Sequence, residues 1–79
     1  MTSNEIDLSK AITNKHYVIC KISSNEKAEL EKLKSIGLNV NSKISIKRKI
    51  NDFLIISFLD YDYAIELSFA KKIFVKQIQ

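Results

Sequence analysis

The sequence contains no proline and no tryptophan, and only one glycine, one cysteine and one histidine. Each scarcity excludes something. Without proline, and with Gly37 as the sole glycine, there is no flexible Gly-rich or stiff Pro-rich linker, and no glycine-rich loop to cradle a phosphate. A lone thiol, Cys20, cannot close an internal disulfide, which suits a reducing compartment. The uninterrupted apolar runs are short, as in Phe53-Leu54-Ile55-Ile56, far from the ~20 residues that span a bilayer. The first residues, Met1-Thr2-Ser3-Asn4-Glu5, carry no basic region followed by an apolar one, so they do not read as a secretory signal. A cytoplasmic location is expected, with no direct membrane insertion, and any membrane connection would run through a partner.

What is present is ordinary for a small globular domain: 79 residues, 46% hydrophobic and 28% charged. A chain of this size buries only about 60% of the surface it exposes when unfolded, so the core is modest and leaves little interior for a large ligand. One domain is expected over residues 6–79, preceded by a flexible N-terminus at residues 1–5. Thirteen Lys/Arg against nine Asp/Glu give a net charge of +4. Such a balance favours acidic partners in general, but lysine is abundant here together with Ile and Asn, and the simpler reading is a solvated basic surface.

Turns are signalled by Asn, Asp and Ser. Residues 8–12 read as a short helical turn capped by Asp7, and Thr13-Asn14-Lys15 turns the chain. Residues 16–22 alternate as a strand; His16, Val18, Cys20 and Ile22 read as its core face and Tyr17, Ile19 and Lys21 as its outer face. Ser23-Ser24-Asn25-Glu26 has the form of a capping box and opens a helix expected over residues 24–36. Ala28, Leu30, Leu33 and Ile36 share its buried side, and Gly37 ends it. Residues 43–50 form a strand with Ile44, Ile46 and Ile50 on the apolar face and Lys43, Ser45, Lys47 and Lys49 on the other. Arg48 falls on the apolar face, which places it near a sheet edge. Asn51-Asp52 makes a tight hairpin to a strand at residues 53–59 that is apolar on both faces. Asp60-Tyr61-Asp62 turns again, followed by a strand at residues 63–67, a helical turn at 68–71 and a final strand at 73–78. Five short strands with one inserted helix suit a mainly β fold, a small closed or nearly closed barrel.

The chemistry-bearing residues are few. On a strand, His16 and Cys20 stand about 13 Å apart, too far to ligate one ion at ~2.0–2.3 Å. Asp60, Asp62 and Glu66 read as solvated turn and strand carboxylates rather than a calcium loop. No nucleophile, base and orienting group fall together, so no catalysis, metal site or cofactor is expected. Lys43, Lys47, Arg48, Lys49, Lys71, Lys72 and Lys76 could touch phosphates, but Phe53 and Phe58 read as core rather than as stacking platforms, so nucleic acid is not the favoured partner. Leu59-Asp60-Tyr61-Asp62-Tyr63 resembles the ALYDY stretch of eukaryotic SH3 domains. It lacks the accompanying Trp and Pro-binding aromatics, so Tyr61 and Tyr63 are expected on the exterior or at a rim.

One run carries more information. Lys32-Leu33-Lys34-Ser35-Ile36-Gly37-Leu38 has a basic residue, an apolar residue, two variable positions, an apolar residue, Gly and Leu. Near the end stand Ala64-Ile65-Glu66, then Ala70, then Ile73-Phe74-Val75. In this order, with the turn at residues 8–12 and the strand and polar loop at 18–25, the chain resembles the FeoA family. The likeness extends from about Ile6 to Val75. Asn14 stands where the family usually has Gly, Val40-Asn41 where it has Pro-Gly, and Asn51-Asp52 where it often has a Gly-Pro hairpin segment. Asn and Asp tolerate positive φ better than other non-glycine residues.

The resemblance implies an SH3-like β-barrel and an accessory role in ferrous-iron uptake, docking on the cytoplasmic, GTP-hydrolysing part of a FeoB-type transporter and modulating it. It implies packing roles for Leu33, Ile36, Ala64, Ala70, Ile73 and Val75 and a backbone turn at Gly37. Partner contacts are expected at Lys32, Lys34, Leu38, Asn39, Val40, Tyr61 and Tyr63, and the two-sided apolar strand is expected to permit a homo-oligomer. Two other readings stay open: a free regulatory or dimerisation module like the C-terminal domain of metal-dependent repressors, and a small basic nucleic-acid-binding barrel.

Overall fold

A computed structural model describes residues 5–78. Of the N-terminal segment expected at residues 1–5, all but Glu5 lies outside the described residues. The chain forms strands β1 (Ile6–Asp7), β2 (His16–Ile22), β3 (Lys43–Ile50), β4 (Phe53–Phe58), β5 (Tyr61–Glu66) and β6 (Ile73–Ile78), with helices α1 (Lys27–Ile36) and α2 (Leu67–Ala70) and a 3₁₀ turn at Leu8–Lys10. The six strands make one antiparallel sheet in the order β1-β6-β2-β3-β4-β5.

The fold is mainly β with one long helix, as expected, but it has six strands rather than five and the sheet does not close. β1 and β5 are its edges. Two residues are too few for β1 to show an alternating pattern. The 3₁₀ turn packs on α2 and β6, and α2 packs on β4 and β5, so these short elements bridge the two ends of the sheet. Asp7 caps the turn, accepting from the Ser9 N–H at 3.1 Å.

The core lies against one face of the sheet. Leu8, Leu54, Ile56, Ala70, Ile73 and Val75 are wholly buried there, and Leu33 of α1 covers it. Leu54 and Ile56 alternate inward along β4, and Ile73 and Val75 along β6. In β2 the faces are reversed: Tyr17 and Ile19 are buried, while His16 is exposed and Val18 and Cys20 are half-buried. Tyr17 can enter the core because its hydroxyl accepts the Ile12 N–H at 2.8 Å, which satisfies a polar group that burial would otherwise penalise. A bulge between Ile19 and Lys21 then shifts the alternation and brings Ile22 onto the core.

β3 is altered in the same way. Its pairing with β4 slips between Ile46 and Arg48, so Ile44 and Ile46 face inward but Ile50 does not and remains 40% exposed. Phe53, expected in the core, sits opposite Ile50 on the outer face, whereas Phe58 is buried. Ala64 is likewise outward and exposed, unlike the packing role expected for it.

α1 starts three residues later than expected. Its N-cap is Glu26, with no side-chain cap bond. Ser24 instead accepts the Glu26 N–H at 3.2 Å and donates to Glu29, so the Ser-to-Glu reciprocity is displaced along the chain. Ala28 is exposed and Leu33 is the helix's one fully buried side chain. Gly37 ends the helix at φ +82°. The three asparagines at the expected turns, Asn14, Asn41 and Asn51, have φ of +69°, +79° and +52°. They adopt the left-handed conformation that their side chains tolerate.

Candidate functional site

Two exposed segments meet at one end of the sheet. The first is the end of α1 and the loop after it. Lys32 and Lys34 are exposed on the helix; Asn39 and Val40 are exposed in the loop. Leu38, expected to contact a partner, is instead core: it is 3% exposed, and its N–H donates to the Leu33 carbonyl at 3.0 Å in the helix-ending turn. The loop is firmly tied down. Asn39 N–H donates to Ser42 Oγ at 3.0 Å, Asn41 N–H to the Ile19 carbonyl at 2.7 Å, and Ile19 N–H to the Ser42 carbonyl at 2.9 Å. Val40 is therefore held outward on a fixed loop, 47% exposed.

The second segment is the tip of the β4–β5 hairpin. The turn is Leu59-Asp60, closed by Phe58 opposite Tyr61, and not the expected Asp60-Tyr61-Asp62. Both turn residues have positive φ, +51° and +70°, the backbone that two-residue hairpins require. Leu59 is 74% exposed and Tyr61 68%, the two most exposed large hydrophobic residues described. Tyr63, two residues further along the same face of β5, is half-buried against the core. The segments are brought together at Gly37, where a Cβ would stand 3.8 Å from Phe58 Cε2. Leu59 escaped the sequence reading because Leu is a poor predictor of left-handed backbone; the signal was the acidic residue beside it.

Among the described residues, no group of three or more His, Cys, Asp or Glu side chains could hold a metal ion. His16 is exposed, and Cys20 is half-buried with its thiol donating weakly to the Val18 carbonyl at 3.7 Å. An open cleft of about 540 Å³ lies at Ser9, Asp52, Glu66, Leu67, Ser68 and Lys71; its lining lacks both His and Cys. The most organised polar cluster joins α1 to the start of β6. Lys72 bridges Glu29 at 3.3 Å and Glu26 at 3.4 Å. The Ser24 hydroxyl, opposed by partial burial and reinforced by Lys72, holds the Glu29 carboxyl below its ordinary range. Glu29 in turn, with a smaller share from Glu26, raises the Lys72 ammonium. These charges fasten the helix to the sheet. Among the described residues, no helix is long and apolar enough to cross a membrane.

The same fold occurs in solved structures. An iron uptake regulatory protein (FeoA) shares 21% identity with a TM-score of 0.81, over 94% of this chain and 99% of that one. A FeoA-like protein from Clostridium acetobutylicum shares 20% identity with a TM-score of 0.81, over 99% of this chain and 92% of that one. T. acidophilum IdeR reaches a TM-score of 0.87 at 17% identity, over 99% of this chain but only 36% of that one. A manganese-dependent transcriptional repressor reaches 0.85 at 16% identity, over 99% of this chain and 44% of that one. The chain thus spans less than half of each of these repressors. No curated protein matches the sequence at a significant level. The FeoA domain model matches residues 6–77, nearly the whole sequence, and the chain belongs to the FeoA domain family.

Proposed function

We propose that the protein is a non-catalytic, cytoplasmic accessory of ferrous-iron uptake that docks on the cytoplasmic part of a FeoB-type transporter and modulates it. Family membership supplies the context. The observation that carries the docking is the rim of Val40, Leu59 and Tyr61, exposed by 47%, 74% and 68%. Apolar side chains held outward on tied-down turns cost less entropy to order on binding than mobile ones, and aromatic anchors dominate interface energetics. Lys32 and Lys34, exposed on the last turns of α1, favour an acidic partner surface.

The test is a calorimetric titration of the purified chain against the transporter's cytoplasmic domain, with and without guanine nucleotide. Saturable binding weakened by Tyr61→Ala and Val40→Asp is the expected result. No heat and no co-elution under either condition would sink the docking reading. Nucleotide-dependent affinity would tie the contact to the GTPase cycle.

The likeness to the repressors, at a TM-score of 0.87 for one of them, favours a second reading: a free-standing regulatory module equivalent to part of such a protein. Binding to a repressor of this class in place of the transporter domain would select it.

A further inference from the structure

The outer face of β3, β4 and β5 carries a charge pattern complementary to itself. Three cross-strand rows define it: Ser45, Ser57 and Asp62; Arg48, Ile55 and Ala64; Ile50, Phe53 and Glu66. These residues alternate with the buried Ile46, Leu54, Ile56 and Ile65, so they share the side of the sheet away from the core. The middle strand supplies an apolar strip, with Phe53 41% exposed and Ile55 half-buried, and Ile50 extends it at 40% exposed. Arg48 stands on the β3 side beside the extra residue Lys47, while Asp62 and Glu66 stand on the β5 side. Among the described residues, none of Lys47, Arg48, Asp62 and Glu66 forms an ion pair within its own chain.

We infer that this face binds a second copy of the chain, in a weak twofold dimer with the symmetry axis along β4. That axis places β3 of one protomer over β5 of the other. Arg48 then faces the small Ala64 of its partner copy, between the carboxylates of Asp62 and Glu66, while the apolar strips of the two copies meet at the centre. A twofold axis across the strands would instead set Arg48 against Arg48, so the charges select one arrangement as well as one partner. The outer surface of a sheet is a suitable platform, because two sheets pack face to face with strands nearly aligned. The face is about 14 Å wide and about 20 Å long. That falls short of the ~800 Å² per partner of a standard interface, so the association is concentration-dependent rather than permanent. It is independent of the docking rim, whose side chains lie at the hairpin tip and the α1–β3 loop.

Sedimentation velocity on the isolated chain across a concentration series tests the inference. The wild type is expected to self-associate, less so as salt screens the pairs. Arg48→Glu alone, and Asp62→Lys with Glu66→Lys, should each weaken association at least about tenfold. Mixing these two variants should restore a heterodimer, since every reversed charge then meets its opposite. Circular dichroism of each variant separates lost association from lost folding, and rescue in the mixture cannot arise from misfolded chains. A wild type that stays monomeric at every concentration overturns the inference. So does self-association that ignores the substitutions, or a mixture without heterodimer. Loss of transporter-domain binding in the charge variants, with a monomeric wild type, would assign the face to that partner instead.

Discussion

Leu59 occupies a backbone conformation that a branched side chain resists, so replacing it should stabilise the protein. Its φ is +51° and it is 74% exposed. A non-glycine residue in the left-handed region gives up about 1–2 kcal/mol to the contact between its Cβ and the following carbonyl. Asn tolerates that region because its short polar side chain bonds locally, and it is preferred at this position of a two-residue hairpin. Full burial of a Leu is worth about 2 kcal/mol, and only about a quarter of this side chain is covered, so Leu59→Asn forfeits about 0.5 kcal/mol of burial. The net gain is about 0.5–1.5 kcal/mol, equivalent to a rise in Tm of about 3–9 °C for a domain of this size. Urea unfolding should show a higher midpoint with an unchanged slope. A variant equal to or less stable than the wild type would refute the reasoning. The same substitution should weaken binding to the transporter domain if Leu59 is retained for contact; a gain of stability with unchanged binding would show that the strained side chain serves no docking role.

Tyr17→Phe should cost about 1 kcal/mol by urea denaturation, because the buried hydroxyl accepts the Ile12 N–H at 2.8 Å; a neutral outcome would mean that water replaces the bond at no loss. Gly37→Ala should cost about 1–2 kcal/mol from backbone conformation alone, since a Cβ there meets Phe58 at an ordinary contact distance of 3.8 Å. A loss well beyond that, measured by thermal unfolding, would point to a steric clash that the geometry does not contain. The Glu29 carboxyl is depressed, chiefly by the Ser24 hydroxyl, so its contribution is present above the ordinary carboxylate pKa and lost as pH falls through the lower folded value. The Lys72 ammonium is raised, chiefly by Glu29; its contribution is present below the ordinary lysine pKa and lost as pH rises through the higher folded value. Glu29→Gln should therefore flatten the acid side of a Tm-against-pH profile, and an unchanged profile would show that the cluster adds nothing to stability.

Much of the fold was legible because local signals agreed. The Gly37 terminus, the Asn51-Asp52 hairpin and the placement of α1 between two strands follow from residue chemistry within a few positions. The substitution of asparagine for glycine at the turns was also readable, since Asn14, Asn41 and Asn51 carry the tolerance for positive φ in their side chains. The reversal at the end of β3 has a definite cause. A bulge adds one residue to a strand, and with a period of two that single residue reverses every side chain beyond it. Ile50 was placed on the apolar face by uninterrupted alternation and lies beyond such a bulge; Ile22 reaches the core, as expected, because a bulge offsets the inverted start of β2. The alternation of β2 is also inverted at its start: Tyr17 enters the core, where the N–H that satisfies its hydroxyl comes from a loop five residues earlier.

The candidate site divides along the same line. Exposure of Lys32, Lys34 and Asn39 was legible from their polarity beside a helix end. Leu38 was not, because nothing local distinguishes a leucine that dives into the core from one that faces a partner. By itself, the sequence determined a single mainly β domain with one long helix, the positions of most turns, and the motif by which the family is known. Only the tertiary structure decided that the α1–β3 loop and the β4–β5 tip share one rim, and that Arg48 and Asp62 flank one apolar face. Those relations depend on strand order and register, long-range pairings between residues far apart in the chain, to which short-range periodicity is blind.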